Sequence, residues 1–177
     1  TAGEFTFGEG DTIKNIDYDY EIMKYPVTDY EYVLYMLDAM ENGNISVNEN
    51  GASGNYPGDA IYPNGDYTFI SFNSSKISWN GQIFEVQEGN VNHPVTGITY
   101  FGAWAFATHY GMEVPDQYEW EKAARGNTGY DYPWGNEVSY QNANYSNNFP
   151  YNVYSLGELT TPVDLFNGST FSCISEG

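Results

Sequence analysis

The chain has 177 residues, enough to bury a hydrophobic core, and its 41% hydrophobic content is too high for a disordered tail. It carries 24 acidic residues against 5 Lys and Arg, a net charge of −19. This balance excludes nucleic-acid binding by phosphate neutralisation and attraction to an anionic membrane surface. The acidic excess has two interpretations, solubility in a salty habitat or binding of a cation such as Ca²⁺ by oxygen ligands. No run of about 18 apolar residues occurs, so the sequence predicts no membrane insertion.

Alternating patterns predict short strands in residues 1–26 and a hairpin further along the chain. Apolar and acidic residues alternate over residues 16–22, as they do in a half-buried strand. The apolar runs 77–79 and 82–86 flank Asn80-Gly81, a dipeptide typical of two-residue hairpin turns. Residues 41–66 are dominated by Asn, Gly and Pro and are predicted to form a loop.

Helix signals are stronger than strand signals in this sequence. Thr28 and Asp116 each begin a capping box, in which a Glu three residues later reaches back to the cap N–H. A glycine that can end the helix follows each candidate. The three predicted helices span residues 28–40, 99–110 and 116–125. The inner stripe of the first helix is predicted to be Val33, Met36, Leu37 and Met40.

The most specific feature is a series of motifs between His93 and Asn136. In order they are His93-Pro94-Val95, Val114-Pro115-Asp116-Gln117-Tyr118-Glu119-Trp120-Glu121-Lys122-Ala123-Ala124-Arg125-Gly126 and Tyr132-Pro133-Trp134-Gly135-Asn136. This series resembles the formylglycine-generating-enzyme type of the sulfatase-modifying-factor family. Weaker matches extend the resemblance over about residues 3–168, at Gly3-Glu4-Phe5, Lys24-Tyr25-Pro26-Val27-Thr28, Asn142-Ala143-Asn144-Tyr145 and Thr161-Pro162-Val163-Asp164.

The resemblance implies one α+β domain over residues 1–177. Its expected fold is a compact variant of the C-type-lectin-like fold, with short strands, about three helices and much irregular structure. We expect Trp120 and Trp134 to be mostly buried anchors of its core. Arg125 is expected to bind helix and loop carbonyls rather than to catalyse. His93 and His109 form no metal motif and are expected to be structural.

The resemblance also implies a catalytic segment that the sequence does not show after Asp164. In the family's oxidases that segment carries two reactive cysteines, which bind copper and substrate. The chain has one cysteine, Cys173, and no His, Lys or Arg follows Arg125 to activate its thiol. We therefore expect no catalytic residue and no copper in this chain, which is either incomplete or a diverged member. Cys173 is interpreted as a small buried hydrophobe or, alternatively, an intermolecular thiol.

The family's calcium site has a partial counterpart here. The resemblance implies that the Asn144 side chain and the carbonyls of Tyr145 and Gly157 hold Ca²⁺. Ser155 stands where the family has an Asp, and the loss of a carboxylate weakens a hard-cation site. Acceptor motifs for N-glycosylation occur at Asn44, Asn73, Asn144 and Asn167.

Three functions remain open at this point. The first is a non-catalytic exported module for binding or assembly, the second a fragment of a formylglycine-generating oxidase, and the third a carbohydrate-binding lectin-like module. A chain beginning at Thr1 suggests a removed export signal, which predicts a secreted, cell-surface or periplasmic location. The missing segment predicts uncovered sheet edges, and these favour contact with other copies or a protein partner.

Overall fold

The computed structural model describes residues 2–9, 12–137, 142–144 and 160–166. These residues form an α+β structure with three α-helices and short antiparallel sheets, as predicted. The strands are β1 (Gly3–Phe7), β2 (Thr12–Ile16), β3 (Ile45–Asn48), β4 (Gly51–Tyr56), β5 (Gly65–Ser71), β6 (Ile77–Trp79) and β7 (Phe84–Val86). The helices are α1 (Asp29–Glu41), α2 (Tyr100–His109) and α3 (Gln117–Arg125). None of these described helices is long and apolar enough to cross a membrane.

Contacts divide the chain into two units. The first unit comprises residues 1–25 and 115–177, and the second comprises residues 26–114. The first contains β1, β2 and α3, and the second contains the remaining strands and helices.

All three predicted helices are confirmed, and they begin at the predicted caps. The Thr28 hydroxyl accepts the Glu31 N–H, while the Glu31 carboxylate accepts the Thr28 N–H at 2.8 Å. Asp116 and Glu119 make the same reciprocal pair at the start of α3. These bonds satisfy N–H groups that lack partners within the helix.

The core of the second unit lies where α1 and α2 pack beside the sheet β3-β4-β5. Tyr32 of α1 and Phe106 of α2 stack at 5.8 Å between ring centroids. Met36 and Ile70 are fully buried against this pair. The predicted inner stripe of α1 is wrong at Leu37, which is 41% exposed, because Tyr32 and Tyr35 occupy the inner face instead.

The predicted loop over residues 41–66 is wrong, because it contains β3, β4 and the start of β5. Ile45 and Val47 supply the alternation of β3, and Asn48 pairs with Gly51 across a tight turn. The Asn48 side chain closes this turn by accepting the Asn50 N–H at 2.8 Å. The Asn and Gly residues that indicated a loop therefore mark a hairpin turn between short strands.

The predicted hairpin over residues 77–86 is confirmed, but its loop is longer than two residues. Trp79 of β6 pairs with Phe84 of β7, so residues 80–83 form the connection. The Asn80 side chain accepts the N–H groups of Gln82 and Ile83, each at 3.0 Å. This side-chain turn replaces the first residues of the predicted second strand.

In the first unit, the strand predicted over residues 16–22 is also wrong. The β1–β2 ladder ends with Gly3 opposite Ile16, so the chain beyond Ile16 has no partner in that ladder. The hydroxyls of Tyr18 and Tyr20 instead donate to Glu119, one to its carboxylate and the other to its carbonyl.

The burial predicted for the two tryptophans is wrong. Trp120 is 61% exposed, because Tyr118 and Lys122, two residues to either side, occupy the inner face of α3. Trp134 is 39% exposed and stacks on Tyr132 at 5.8 Å, while its indole N–H donates to the Glu137 carbonyl.

Two cations of α3 fix the first unit through backbone carbonyls. The ammonium of Lys122, which is buried, donates to the Gly3 carbonyl at 2.7 Å. The Arg125 guanidinium donates to the carbonyls of Gly8 and Tyr130 and pairs with Glu121. The structural role predicted for Arg125 is confirmed.

The close approach of α2 to β5 generates the first prediction. Gly102 is buried in α2, and a Cβ there would overlap the Phe69 carbonyl oxygen. Although alanine normally stabilises a helix relative to glycine, we expect Gly102→Ala to lower the free energy of unfolding by about 1 to 3 kcal/mol. Urea denaturation measures this, with Ala103→Gly in the same helix as the matched control, expected to cost about 1 kcal/mol. A Gly102→Ala variant with a higher free energy of unfolding than the wild type would contradict the close contact of α2 with β5.

Candidate functional site

A groove of about 390 Å³ opens between α1 and α2 in the second unit. Its size lies within the range of small-ligand sites, roughly 300–1,000 Å³. Tyr35 and Ala39, one helical turn apart on α1, line one wall, and Trp104 and Thr108 line the other from α2. We call this cavity the α1–α2 groove.

The inner surface of the groove is aromatic and apolar. Tyr35, Ala39 and Phe69 are buried, with at most 3% exposure. Trp104 is half-buried and meets the Tyr56 ring edge-to-face at 4.8 Å. Such a floor offers aromatic surface to a ligand.

The mouth of the groove is polar but carries no formal charge from Lys, Arg, Asp or Glu among its described lining residues. Asn44, Asn55 and Thr108 are exposed there, so their amide and hydroxyl groups can both donate and accept hydrogen bonds. His109 is half-buried, and its Nε2 lies 3.2 Å from the Asp38 carboxylate outside the groove. The mouth is therefore suited to a neutral polar ligand.

Ring contacts lead from the groove through the buried ring of Tyr56 to exposed rings on the neighbouring surface. Tyr56 contacts Phe101 at 5.2 Å, and Phe101 stacks on Tyr67 at 3.9 Å and meets Tyr62 at 5.1 Å. Tyr62 and Tyr100 are 42% and 49% exposed. We call these rings the aromatic strip, which consists of Tyr56, Tyr62, Tyr67, Tyr100 and Phe101.

One carboxylate holds the loop that carries the outer end of the strip. Asp59 accepts the Tyr56 hydroxyl at 2.6 Å and the N–H groups of Ile61 and Tyr62 at 2.7 Å. These bonds, the one from Tyr56 foremost, lower the pKa of Asp59, while the same contact raises the pKa of Tyr56. These hydrogen bonds hold the backbone of the loop that carries Tyr62.

A second unusual feature is a buried polar cluster at the start of α1. Within the described part of the chain, neither carboxylate oxygen of Asp29 has a hydrogen-bond partner, nor does the buried side-chain oxygen of Asn90. The Asp29 N–H donates to the His93 carbonyl, and the His93 N–H donates to the Asn90 carbonyl, both at 2.9 Å. Burial raises the pKa of Asp29 to about 7 from its usual 3.8, although the charge of Lys76 opposes the shift.

The sequence matches the model of the sulfatase-modifying factor enzyme 1-like domain over residues 1–173. The chain belongs to this family. The family resemblance stated from the motifs is thereby confirmed.

Individual relatives of this sulfatase-modifying-factor domain are larger proteins. The chain is 32% identical to protein YfmG of Bacillus subtilis over 125 residues, 71% of the chain and 21% of that protein. It is 41% identical to the formylglycine-generating enzyme of Thermomonospora curvata over 86 residues, 42% of the chain and 27% of that enzyme. It is 35% identical to the serine/threonine-protein kinase Pkn1 of Chlamydia trachomatis over 77 residues, 43% of the chain and 12% of the kinase. The chain thus spans at most about a quarter of these relatives' lengths.

The predicted site residues of the domain fall partly outside the described structure. Among the predicted calcium ligands, Asn144 is exposed, whereas Tyr145 and Gly157 lie outside the described residues. The described part of the chain contains no group of three or more His, Cys, Asp or Glu residues that could hold a metal ion. Asn44 and Asn73 are exposed, whereas Asn167 and Cys173 lie outside the described residues.

Sequence reasoning missed the groove and the strip. Asn44 was singled out only for glycosylation, yet it lines the groove mouth, where an attached glycan would compete with a ligand. The signal available was Trp104 and Thr108 spaced one turn apart on a helix rich in small residues. Asn55 and Phe69 could not be assigned to the same site, because β4 and β5, which carry them, were not predicted as strands.

The buried carboxyl of Asp29 generates a prediction on pH dependence. The pKa of Asp29 is higher in the folded state than in the unfolded state, so the protonated carboxyl favours folding. Its contribution to the free energy of unfolding is therefore fully present below about pH 4 and is lost as the pH rises from about 4 to 7. Asp29→Asn removes the ionisable group, so we expect a flatter profile and a gain of roughly 2 to 4 kcal/mol at neutral pH. Urea unfolding across this window measures both. Asp66→Asn, at an exposed site, is the control; equal pH slopes in wild type and Asp29→Asn would contradict the assignment.

Proposed function

We propose that this domain is a non-catalytic binding module whose ligand occupies the α1–α2 groove. The observation that carries the proposal is a solvent-open groove with an aromatic floor and a neutral, hydrogen-bonding mouth. Sites that bind small molecules combine an apolar surface with a few polar groups that fix orientation. The groove therefore supports recognition of a ligand.

The residues that line the groove are better suited to binding a ligand than to catalysis. A catalytic nucleophile needs an adjacent base or a cation to activate it. The one imidazole in the groove, His109, is directed by its Nε2 to Asp38, and its ring packs edge-to-face on Tyr35 at 5.2 Å. These contacts hold the ring as part of the wall.

We place the module outside the cytoplasm, as a secreted, cell-surface or periplasmic protein that meets other copies or a protein partner. The support is the net charge of −19, the exposed acceptor asparagines and the apolar outer face of α1. On that face Tyr30, Leu34 and Leu37 are each more than 40% exposed and lie three to four residues apart. Calcium at Asn144 and glycosylation belong to the same proposal.

An NMR fragment screen of the 177-residue chain tests the groove. Neutral fragments are expected to shift the backbone amides of Asn44, Asn55 and Thr108, because these residues line the mouth. Thr108→Trp places a large ring over the opening from an exposed position and should abolish the shifts. Thr12→Trp, at an exposed site in β2, is the matched control and should leave them unchanged. Hits confined to other surfaces, or hits that persist in Thr108→Trp, would contradict the proposal.

A second candidate is an oxidase fragment, favoured by the relatives named formylglycine-generating enzyme. We expect the 177-residue chain to form no formylglycine from a cysteine-containing sulfatase peptide with copper and dioxygen, since it has one cysteine. Mass spectrometry of the peptide measures the aldehyde. The Thermomonospora curvata enzyme serves as the positive control. Peptide conversion by this chain would favour the oxidase and contradict the binding module.

A further inference from the structure

We propose that the ligand of the α1–α2 groove is a neutral oligosaccharide, with one sugar in the groove and the next sugars on the aromatic strip. This inference rests on the proposed function and specifies its ligand. Three observations carry it: the chemistry of the mouth, the continuity of the rings and the charge of the protein.

The mouth presents groups that match sugar hydroxyls. A hydroxyl both donates and accepts, and so do the side chains of Asn44, Asn55 and Thr108. Each of the three is exposed, so a ligand can reach it without unfolding the wall. Charged ligands find no opposite charge here, because no Lys, Arg, Asp or Glu is among the described lining residues.

Ring contacts connect the groove to the exposed rings of the strip through Tyr56, which is itself only 3% exposed. Trp104 at the groove meets Tyr56 at 4.8 Å, Tyr56 meets Phe101 at 5.2 Å, and Phe101 meets Tyr62 at 5.1 Å. The negative face of an aromatic ring attracts the positively polarised C–H groups on a sugar face. Because Tyr62 and Tyr100 are both more than 40% exposed, their surfaces are accessible to sugars that extend beyond the groove.

Hydrogen bonds to Asp59 hold the loop that carries the exposed ring of Tyr62. Asp59 accepts hydrogen bonds from Tyr56 and from two backbone N–H groups of the loop that leads to Tyr62. A preorganised ring loses less entropy when a ligand stacks on it. A loop held only by hydrophobic contacts would lack these hydrogen bonds.

The net charge excludes acidic sugars. At −19 the protein repels polyanionic glycans, and no Lys or Arg among the described lining residues offsets that repulsion. A peptide could also bond to the amides, but it would use few of the exposed ring faces. A neutral, hydroxyl-rich chain uses both surfaces together.

Calorimetric titration of the 177-residue chain with maltotriose, cellotriose and tri-N-acetylchitotriose tests the inference. We expect at least one to bind, and we expect trigalacturonic acid and the peptide N-acetyl-triserine amide not to bind. Asn55→Ala removes a mouth amide and Tyr62→Ala an exposed ring, and each should weaken binding about 10-fold. Asn73→Ala and Tyr130→Ala change residues of the same types at exposed sites outside the groove lining and the strip and should leave affinity unchanged.

Each other outcome overturns the inference. It fails if none of the three oligosaccharides binds, if the acidic sugar or the peptide binds better, or if Asn55→Ala and Tyr62→Ala retain full affinity. If the calorimetric titrations fail but neutral fragments still bind in the groove, the proposed binding function is retained and only the oligosaccharide is rejected as its ligand. Failure of both experiments rejects the groove as a ligand site.

Discussion

The contact of α2 with the backbone of β5 is the constraint on which the second unit depends. The Thr99 N–H donates to the Phe69 carbonyl at 2.9 Å, and the Thr99 hydroxyl donates to the Thr68 carbonyl at 2.6 Å. Gly102 then lies directly against the Phe69 carbonyl, and the Tyr32 hydroxyl donates to the Gly102 carbonyl. Helix and strand therefore meet backbone to backbone, which places Trp104 and Thr108 beside α1 and creates the groove.

The same constraint explains how one helix serves both core and surface. Ala105 and Phe106 of α2 are buried in the core, whereas Trp104 and Thr108 line the groove. Tyr100, at the start of the helix, reaches the aromatic strip. The high aromatic content of the sequence is thus divided between packing and accessible surface, and only the latter is available to a ligand.

Local signals predicted the helices well and the sheet poorly. The capping boxes at Thr28 and Asp116 depend on residues three positions apart, so the sequence specifies them without tertiary contacts. The β3–β4 pair contains few apolar residues and much Asn and Gly, so its period-2 pattern is too short to separate from a loop. The sequence did not predict the exposure of Trp120, because a large ring within a family motif suggests a buried anchor. Its exposure is set by its position on the outer face of α3. The groove joins residues far apart in sequence, and no local pattern predicts such a site.

The central claim is that the α1–α2 groove binds a ligand, and a crystal structure of the 177-residue chain grown with an oligosaccharide that binds tests it most directly. The account predicts a sugar ring within hydrogen-bond distance of Asn55 and in contact with Trp104, with the next ring against Tyr62. A groove filled by side chains of the protein itself, or a sugar bound only at another surface, would contradict the account.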